Sequence, residues 1–362
     1  MEFNFEQLKR NLLVPKMELR QMAHHLEGIK KLYTVSREGL PSKVWSEEEV
    51  SSYAAFYLPT NSKKFKFLMD QIPAAIKEEL GECEVIDFGT GPGTYLLSYL
   101  EYFGGSHCKT LWGIDKEPLM LKQAEKLLSS FFPNFKTKVR FSPEVPIHKN
   151  DHKRLLIFGN SCNELGPKQI LSIINEVGAD FILFIEPGIP VVFDQLMQVR
   201  RHLHSKKFDC FYPCPNISSP CPIEKRSLEG LEDWCHQVWR GVHEQGVETL
   251  GQLAHIDRKA MPFIGHLYGK VRVTLKKEKR DLIRFVRFIR ETKHSFEWQA
   301  CIEEEGKELR LIELEIPKKT LSKSEMKTFK NQLVGVSFDY EVIKEISEER
   351  LRVKVTFEES NK

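Results

Sequence analysis

Val85-Ile86-Asp87-Phe88-Gly89-Thr90-Gly91-Pro92-Gly93 joins a short apolar run, ending in an acid, to the helical stretch Thr94-Tyr95-Leu96-Leu97-Ser98-Tyr99-Leu100. Strand, glycine turn and helix in that order let a backbone come close to a nucleotide-type ligand. An ordinary glycine-rich turn would fit these nine residues equally well, and the units that follow argue against it. Thr110-Leu111-Trp112-Gly113-Ile114-Asp115 is a second apolar run tipped by an acid, and Leu119 to Phe131 is apolar at helical spacing. Leu155-Leu156-Ile157-Phe158-Gly159 and Phe181-Ile182-Leu183-Phe184-Ile185 are continuous apolar runs, the pattern of parallel strands covered on both faces. Helical patterns from Lys168 to Val177 and from Val191 to Leu203 alternate with them. The class is a doubly wound α/β sheet.

The glycines run Gly-x-Gly-x-Gly, tighter than the dinucleotide fingerprint, and the preceding acid makes the loop resemble the S-adenosylmethionine loop of class I methyltransferases. Asp87, Gly89, Gly91 and Gly93 are therefore expected at the cofactor, with Asp115 accepting the ribose hydroxyls. Asn160-Ser161-Cys162-Asn163-Glu164 and Glu186-Pro187-Gly188 stand at the carboxyl ends of two further strands, where ligands sit in this architecture. Asn163 and Glu186 join the expected cofactor set. The first of these loops lacks the Asn-Pro-Pro-aromatic or Asp-Pro-Pro-aromatic segment that positions an amine for methyl transfer. No residue is assigned to catalysis, and Cys162 reads as a small core side chain.

A second signal lies in Phe208-Asp-Cys-Phe-Tyr-Pro-Cys-Pro-Asn-Ile-Ser-Ser-Pro-Cys-Pro, followed by Trp234-Cys235-His236. Proline fixes φ and removes a donor, so the Cys214-Pro and Cys221-Pro steps suit a rigid loop that presents sulfur. Cys214, Cys221 and Cys235 make three parts of a metal site, and Cys301 is the only cysteine further on. Thiolate-only ligation suits zinc or an iron–sulfur cluster, and spacing leaves both open, together with unliganded thiols.

Net charge is only +3 over 362 residues, so affinity for nucleic acid requires a local patch. One exists: Lys270, Arg272, Lys276, Lys277, Lys279 and Arg280 open a basic span that continues through Arg284, Arg287, Arg290 and Lys293. Phe285, Phe288, Phe296 and Trp298 lie among the charges, as RNA contacts or as the core beneath a solvated sheet face. Eight scattered cysteines favour a reducing compartment, and no apolar run approaches transmembrane length. The acidic N-terminal start lacks a signal or transit pattern, so the cytoplasm is the expectation, or the mitochondrial matrix if the source is eukaryotic. The expected organisation is a helical region over 1–80, a Rossmann-like cofactor domain over 81–209, the cysteine loop and basic β region over 210–306, and a β-rich appendage over 307–362. In the helical region Ser46 and Glu49 form a capping box. The appendage carries one helix between two alternating runs, and its function is not legible.

Tyr53-Ala-Ala with Leu58-Pro59, the Asp87–Gly93 loop, Asn163-Glu164, Glu186-Pro187-Gly188, Cys214-Pro, Cys221-Pro, Trp234-Cys235-His236 and Lys293-His294 to Cys301 occur in one order. Together, over roughly residues 50–306, they resemble the methyltransferase-like family of small-ribosomal-subunit assembly factors, found in mitochondria and bacteria. The resemblance implies a class I methyltransferase fold, a 4Fe–4S cluster on Cys214, Cys221, Cys235 and Cys301, and action on the maturing small subunit. It favours the cluster over zinc and an RNA role for the basic span. Here Asn216 replaces the relatives' usual histidine, and six residues separate Cys214 from Cys221, one more than in most. The expected protein is a monomer away from the ribosome that binds small-subunit rRNA and no membrane. The alternatives are an active RNA methyltransferase and a zinc-stapled RNA-binding module without catalysis.

Overall fold

The computed structural model of the chain describes residues 3–34, 44–104, 109–135, 138–145, 152–214, 220–230, 233–270, 282–303, 308–330 and 333–356. The elements run α1 (Phe5–Arg10), α2 (Leu19–Thr34), α3 (Glu47–Asp70), α4 (Ala74–Gly81), β1 (Glu84–Phe88), α5 (Thr94–Phe103), β2 (Leu111–Ile114), α6 (Pro118–Phe131), β3 (Val139–Ser142) and β4 (Arg154–Gly159). Then come α7 (Pro167–Val177), β5 (Phe181–Pro187), α8 (Pro190–Ser205), β6 (Phe208–Tyr212), α9 (Pro222–Leu228), β7 (Gln237–Arg240), α10 (Gln245–Leu253) and β8 (Ala260–Lys270). The chain finishes β9 (Leu282–Glu291), β10 (Ser295–Ile302), β11 (Arg310–Pro317), α11 (Lys323–Lys330), β12 (Ser337–Ser347) and β13 (Arg350–Thr356).

Two compact units emerge, the first comprising Met1–Asp70, Ala74–Glu186 and Trp239–Met261. Its strands pair in parallel in the order β3-β2-β1-β4-β5, with Ile86 opposite Trp112 and Leu156, and Phe158 opposite Phe184. Sequential strands on opposite sides of β1 make this the doubly wound topology, whose ligand crevice opens where the order reverses. β4 and β5 bury nearly every side chain, which is why they read as unbroken apolar runs. The capping box forms: Ser46 N–H donates to Glu49 Oε2 at 3.0 Å, and Glu49 N–H to Ser46 Oγ at 3.1 Å. It starts α3, which carries Pro59 in its interior.

The second unit comprises Gln71–Pro73, Pro187–Val238 and Pro262–Lys362. β6 pairs antiparallel with β8, Cys210 lying opposite Tyr268. The remaining strands close a barrel in the order β10-β11-β13-β12-β9. β11 and β13 are parallel, the other ladders are antiparallel, and α11 lies between the third and fourth strands of the barrel. That is the connectivity of an OB-fold. Its core contains Ile283, Phe285, Phe296, Trp298, Ile312, Leu314 and Phe329. Phe285, Phe296 and Trp298 are fully buried, and the Phe285 and Trp298 rings stack 4.6 Å apart. These aromatics therefore form the barrel core and offer no stacking surface to RNA.

Candidate cofactor and metal sites

In the first unit, the carboxyl ends of β1, β2, β4 and β5 bring the expected cofactor residues together. Gly89, Gly91 and Gly93 all take positive φ, a conformation that costs other residues strain. At Gly89 a Cβ would lie 2.7 Å from the Ser161 Cβ, so the glycine also permits close approach to the loop after β4. Among the described residues nothing lies within 4 Å of the Cβ position at Gly91, which leaves the top of the loop open to them. Asp115 Oδ2 accepts from Gly91 N–H at 2.8 Å and Oδ1 from Glu117 N–H at 3.0 Å. The acid thus fastens the glycine loop to the start of α6 while its remaining lone pairs can meet a diol.

Asp87 is fully buried, and one of its oxygens accepts from Thr90 Oγ1 at 2.7 Å, while Oδ1 has no geometric hydrogen-bond partner among the described residues. Burial pushes this carboxyl up to about 7. Glu186, also fully buried, accepts through Oε1 from the backbone N–H of Ser161 (3.1 Å) and Cys162 (3.2 Å). Burial raises it to about 7 as well, against the pull of those two donors, of the Cys162 thiol and of Lys64. Asn163 Oδ1 is a buried acceptor without a partner among the described residues. Cys162 is a buried core thiol, as its surroundings in the sequence suggest.

Sequence reasoning missed one wall of this site. Tyr53, Tyr57, Asn61 and Lys64 lie at helical spacing on α3, which puts them on one face. Arg258 reaches that face: its guanidinium lies 5.3 Å from the Tyr57 ring centre and donates to Asn61 Oδ1 at 2.6 Å. Lys64 is buried, and desolvation together with Arg258 holds its amine well below the usual lysine range, partly offset by Glu186. Tyr95 from α5 accepts at its hydroxyl from Asn160 Nδ2 at 3.2 Å, and its ring lies over Gly159. The signal was the i, i+4, i+8, i+11 row of Tyr53, Tyr57, Asn61 and Lys64 on one face of the helix. Arg258, two hundred residues away in the chain, left no such trace.

The second unit gathers the cysteines. Cys214, Cys221, Cys235 and Cys301 are all buried or half-buried. Burial raises the Cys301 thiol well above its ordinary value, and the Cys235, Cys221 and Cys214 sulfurs add to the rise. All four therefore sit within mutual electrostatic range, although among the described residues no three potential ligands stand close enough to hold a single ion. Cys301 lies on the outer face of β10, opposite Arg284 of β9. The Arg284 guanidinium stacks 4.2 Å from the Tyr212 ring centre and donates to the Gly335 carbonyl at 2.5 Å. Arg200 is buried too; desolvation lowers its pKa, yet the facing thiols, Cys214 foremost, raise it on balance. A hydrogen bond from Cys210, and then Arg200, bring the Cys214 thiol down to about 6 against its burial.

Of the basic span, only Lys270 among the six expected RNA contacts is described; its ammonium lies 5.8 Å from the Phe208 ring centre. Arg272, Lys276, Lys277, Lys279 and Arg280 lie outside the described residues. Further along, Arg287 pairs with buried Asp233, and Arg290 with Glu297 at 2.8 Å. Glu297, Glu313 and Glu315 line the outer face of β10 and β11 and also engage Arg350 and Arg352. This face, which binds oligonucleotides in many OB-folds, is occupied here by carboxylate–guanidinium pairs.

A parallel β3-β2-β1-β4-β5 order, an acid-flanked glycine loop and a second acid-tipped strand define the class I methyltransferase fold. Solved methyltransferases are similar over part of the chain: TrmK of M. capricolum with S-adenosyl-homocysteine (9% identity, 57% of this chain and 73% of that one, TM-score 0.31) and magnesium protoporphyrin IX methyltransferase of Synechocystis with bound SAM (11%, 51% and 86%, 0.32). A geranyl diphosphate methyltransferase in complex with SAM is 12% identical, covering 58% of this chain and 85% of that one at a TM-score of 0.35. No curated protein matches the chain. The chain belongs to the family described as mitochondrial small ribosomal subunit Rsm22, whose model matches residues 47–313. No described helix is long and apolar enough to cross a membrane.

Proposed function

We propose that this protein is a methyltransferase-like assembly factor of the small ribosomal subunit that binds S-adenosylmethionine, carries a structural 4Fe–4S cluster and contacts small-subunit rRNA. The observation that carries the reading is the convergence of four buried or half-buried thiols near two buried guanidinium groups, Arg200 and Arg284. An all-thiolate donor set suits zinc or a cluster. The thiols alone leave zinc and the cluster both open, and the family resemblance favours the cluster. Two cations beside them offset the negative charge of a tetrathiolate cluster. The cluster would supply a crosslink: Cys301 on the barrel would be bonded to the chain around Cys214, Cys221 and Cys235, and metal binding would become folding free energy for that unit.

At the other site, Asp115 would hold the ribose and the glycine loop would lie under the cofactor. The buried carboxyls of Asp87 and Glu186 suit a positively charged ligand such as S-adenosylmethionine, whose binding would favour their ionised forms. Lys270 and the basic residues that follow it in sequence would neutralise RNA phosphates. Methyl transfer to RNA is the second reading, favoured by the buried acceptors Asn163 Oδ1 and Glu186 Oε2, which can orient an N–H group beside a methyl donor. Anaerobic purification with iron, sulfide and zinc analysis, together with calorimetric titration of S-adenosylmethionine, tests the main reading. Stoichiometric zinc without sulfide would replace the cluster, and no heat on titration would remove the cofactor.

A further inference from the structure

Nine large apolar side chains are exposed among the described residues, and three of them, Val342 (44%), Ile343 (49%) and Ile346 (42%), fall within five positions of β12. Every residue from Glu341 to Glu349 is exposed. The ladder to β13 pairs Val342 with Val353 and Lys344 with Arg352, passing over Ile343, and it passes over Ile346 in the same way. Two bulges thus put isoleucine where a solvated strand ordinarily carries polar residues. β12 meets β9 only at Ser337, Phe338 and Asp339, so from Glu341 to Ser347 its other edge has no strand neighbour among the described residues. Over Glu341–Glu349 four glutamates face one lysine, a net charge of −3. On the paired strand Lys354 lies opposite Glu341, while Arg350 and Arg352 are engaged by Glu297, Glu313 and Glu315, so the stretch stays acidic by about two charges. None of the five charged side chains of Glu341–Glu349 is in an ion pair among the described residues.

Clustered aliphatic surface rimmed by charge marks an interaction site more often than plain solvent exposure. An edge strand offers a row of backbone donors and acceptors to a second chain, with side-chain contacts on alternate positions. The charge selects the partner. Four unpaired carboxylates repel a phosphate backbone and attract cations, so RNA is the wrong ligand for this element although it suits the basic span. We infer that the β12 edge, with Val342, Ile343 and Ile346 and the glutamates around them, docks an extended Lys/Arg-rich protein segment carrying alternate apolar residues. The inference rests on the small-subunit association only for where such a segment would be met. The bulges interrupt the edge, so the contact is short and depends on the aliphatic side chains as much as on backbone bonds.

The test titrates the full-length holoprotein into three labelled probes: a synthetic peptide of alternating lysine and valine, one of alternating glutamate and valine, and single-stranded oligouridine. The lysine–valine peptide is expected to bind, the glutamate–valine peptide to fail, and salt to weaken the complex. Ile343→Ser with Ile346→Ser, and separately Glu341→Lys with Glu345→Lys, should each weaken binding about tenfold or more. All four changed side chains are exposed, so the unfolding temperature serves as a control. Lys344→Glu should strengthen binding, a gain that misfolding cannot produce. Equal binding by all variants, equal capture of the glutamate–valine peptide, or oligouridine affinity that falls with the isoleucine substitutions would each overturn the inference. Iron content and S-adenosylmethionine affinity are unaffected by these variants, so a failure here is separable from a failure of the proposed function.

Discussion

Replacing Asp115 by alanine should loosen the glycine loop and weaken cofactor binding together. The carboxylate accepts from Gly91 N–H at 2.8 Å and Glu117 N–H at 3.0 Å. Hydrogen bonds to a charged group contribute about 1.5–3 kcal/mol each, but Asp115 is only partly buried and water can replace part of each bond. About 1 kcal/mol per bond is the reasonable remainder, or about 2 kcal/mol in all. For a cooperative unit of this size that lowers the unfolding temperature by about 4–8 °C. Losing the acceptors for a ribose diol removes about 1.5–3 kcal/mol of binding, about a ten- to hundredfold loss. Asp115→Asn keeps one oxygen and separates the two roles, since its amide cannot accept from both N–H groups. Lys116→Ala is the control, because its ion pair with Glu164 (3.1 Å) is exposed and contributes little. Scanning calorimetry and calorimetric titration of S-adenosylmethionine decide the matter. An Asp115→Ala protein with wild-type affinity and a lowered unfolding temperature would reduce the acid to a structural clasp, and one unchanged in both would refute the reasoning altogether.

Cys301→Ser should lower iron content and expose the amides of β9 and β10 to hydrogen exchange, whereas Cys83→Ser, a buried thiol of the first unit, should leave the metal in place; full iron in the first variant would reassign the ligand to Cys210. Asp87 and Glu186 give a pH dependence with a definite sign. Burial raises both carboxyls to about 7, so between about pH 4 and 7 the folded state holds protons that the unfolded state has lost, and stability falls as pH rises through that window. For Asp87 the rise from 3.8 is about three units, about 4 kcal/mol at the top of the window. Glu186→Gln should flatten the unfolding temperature between pH 5 and 8, and a curve parallel to wild type would mean that the carboxyl ionises freely. Replacing Lys276, Lys277, Lys279 and Arg280 together should flatten the salt dependence of RNA binding, each phosphate contact contributing about 0.7–0.9 to the log–log slope. An identical slope would move the RNA elsewhere.

Local chemistry made the first unit legible. Alternation of apolar runs with helical periods, glycines that must adopt positive φ, and acids at strand ends are properties of neighbouring residues, so Asp87, Gly89, Gly91, Gly93 and Asp115 stand together as their spacing implies. Tertiary structure decided the rest, because its causes are not local. Arg258 enters the α3 wall through a fold-dependent contact with Tyr57 and Asn61. Phe285, Phe296 and Trp298 sit among arginines in sequence, yet strand alternation and barrel closure turn the rings inward and leave Arg287 and Arg290 to pair with Asp233 and Glu297. The sequence by itself determined a doubly wound α/β sheet and the residue types of both sites. Only closure of β9 to β13 into a barrel decided which side of each strand faces solvent, because a period of two says that faces alternate and not which face is buried.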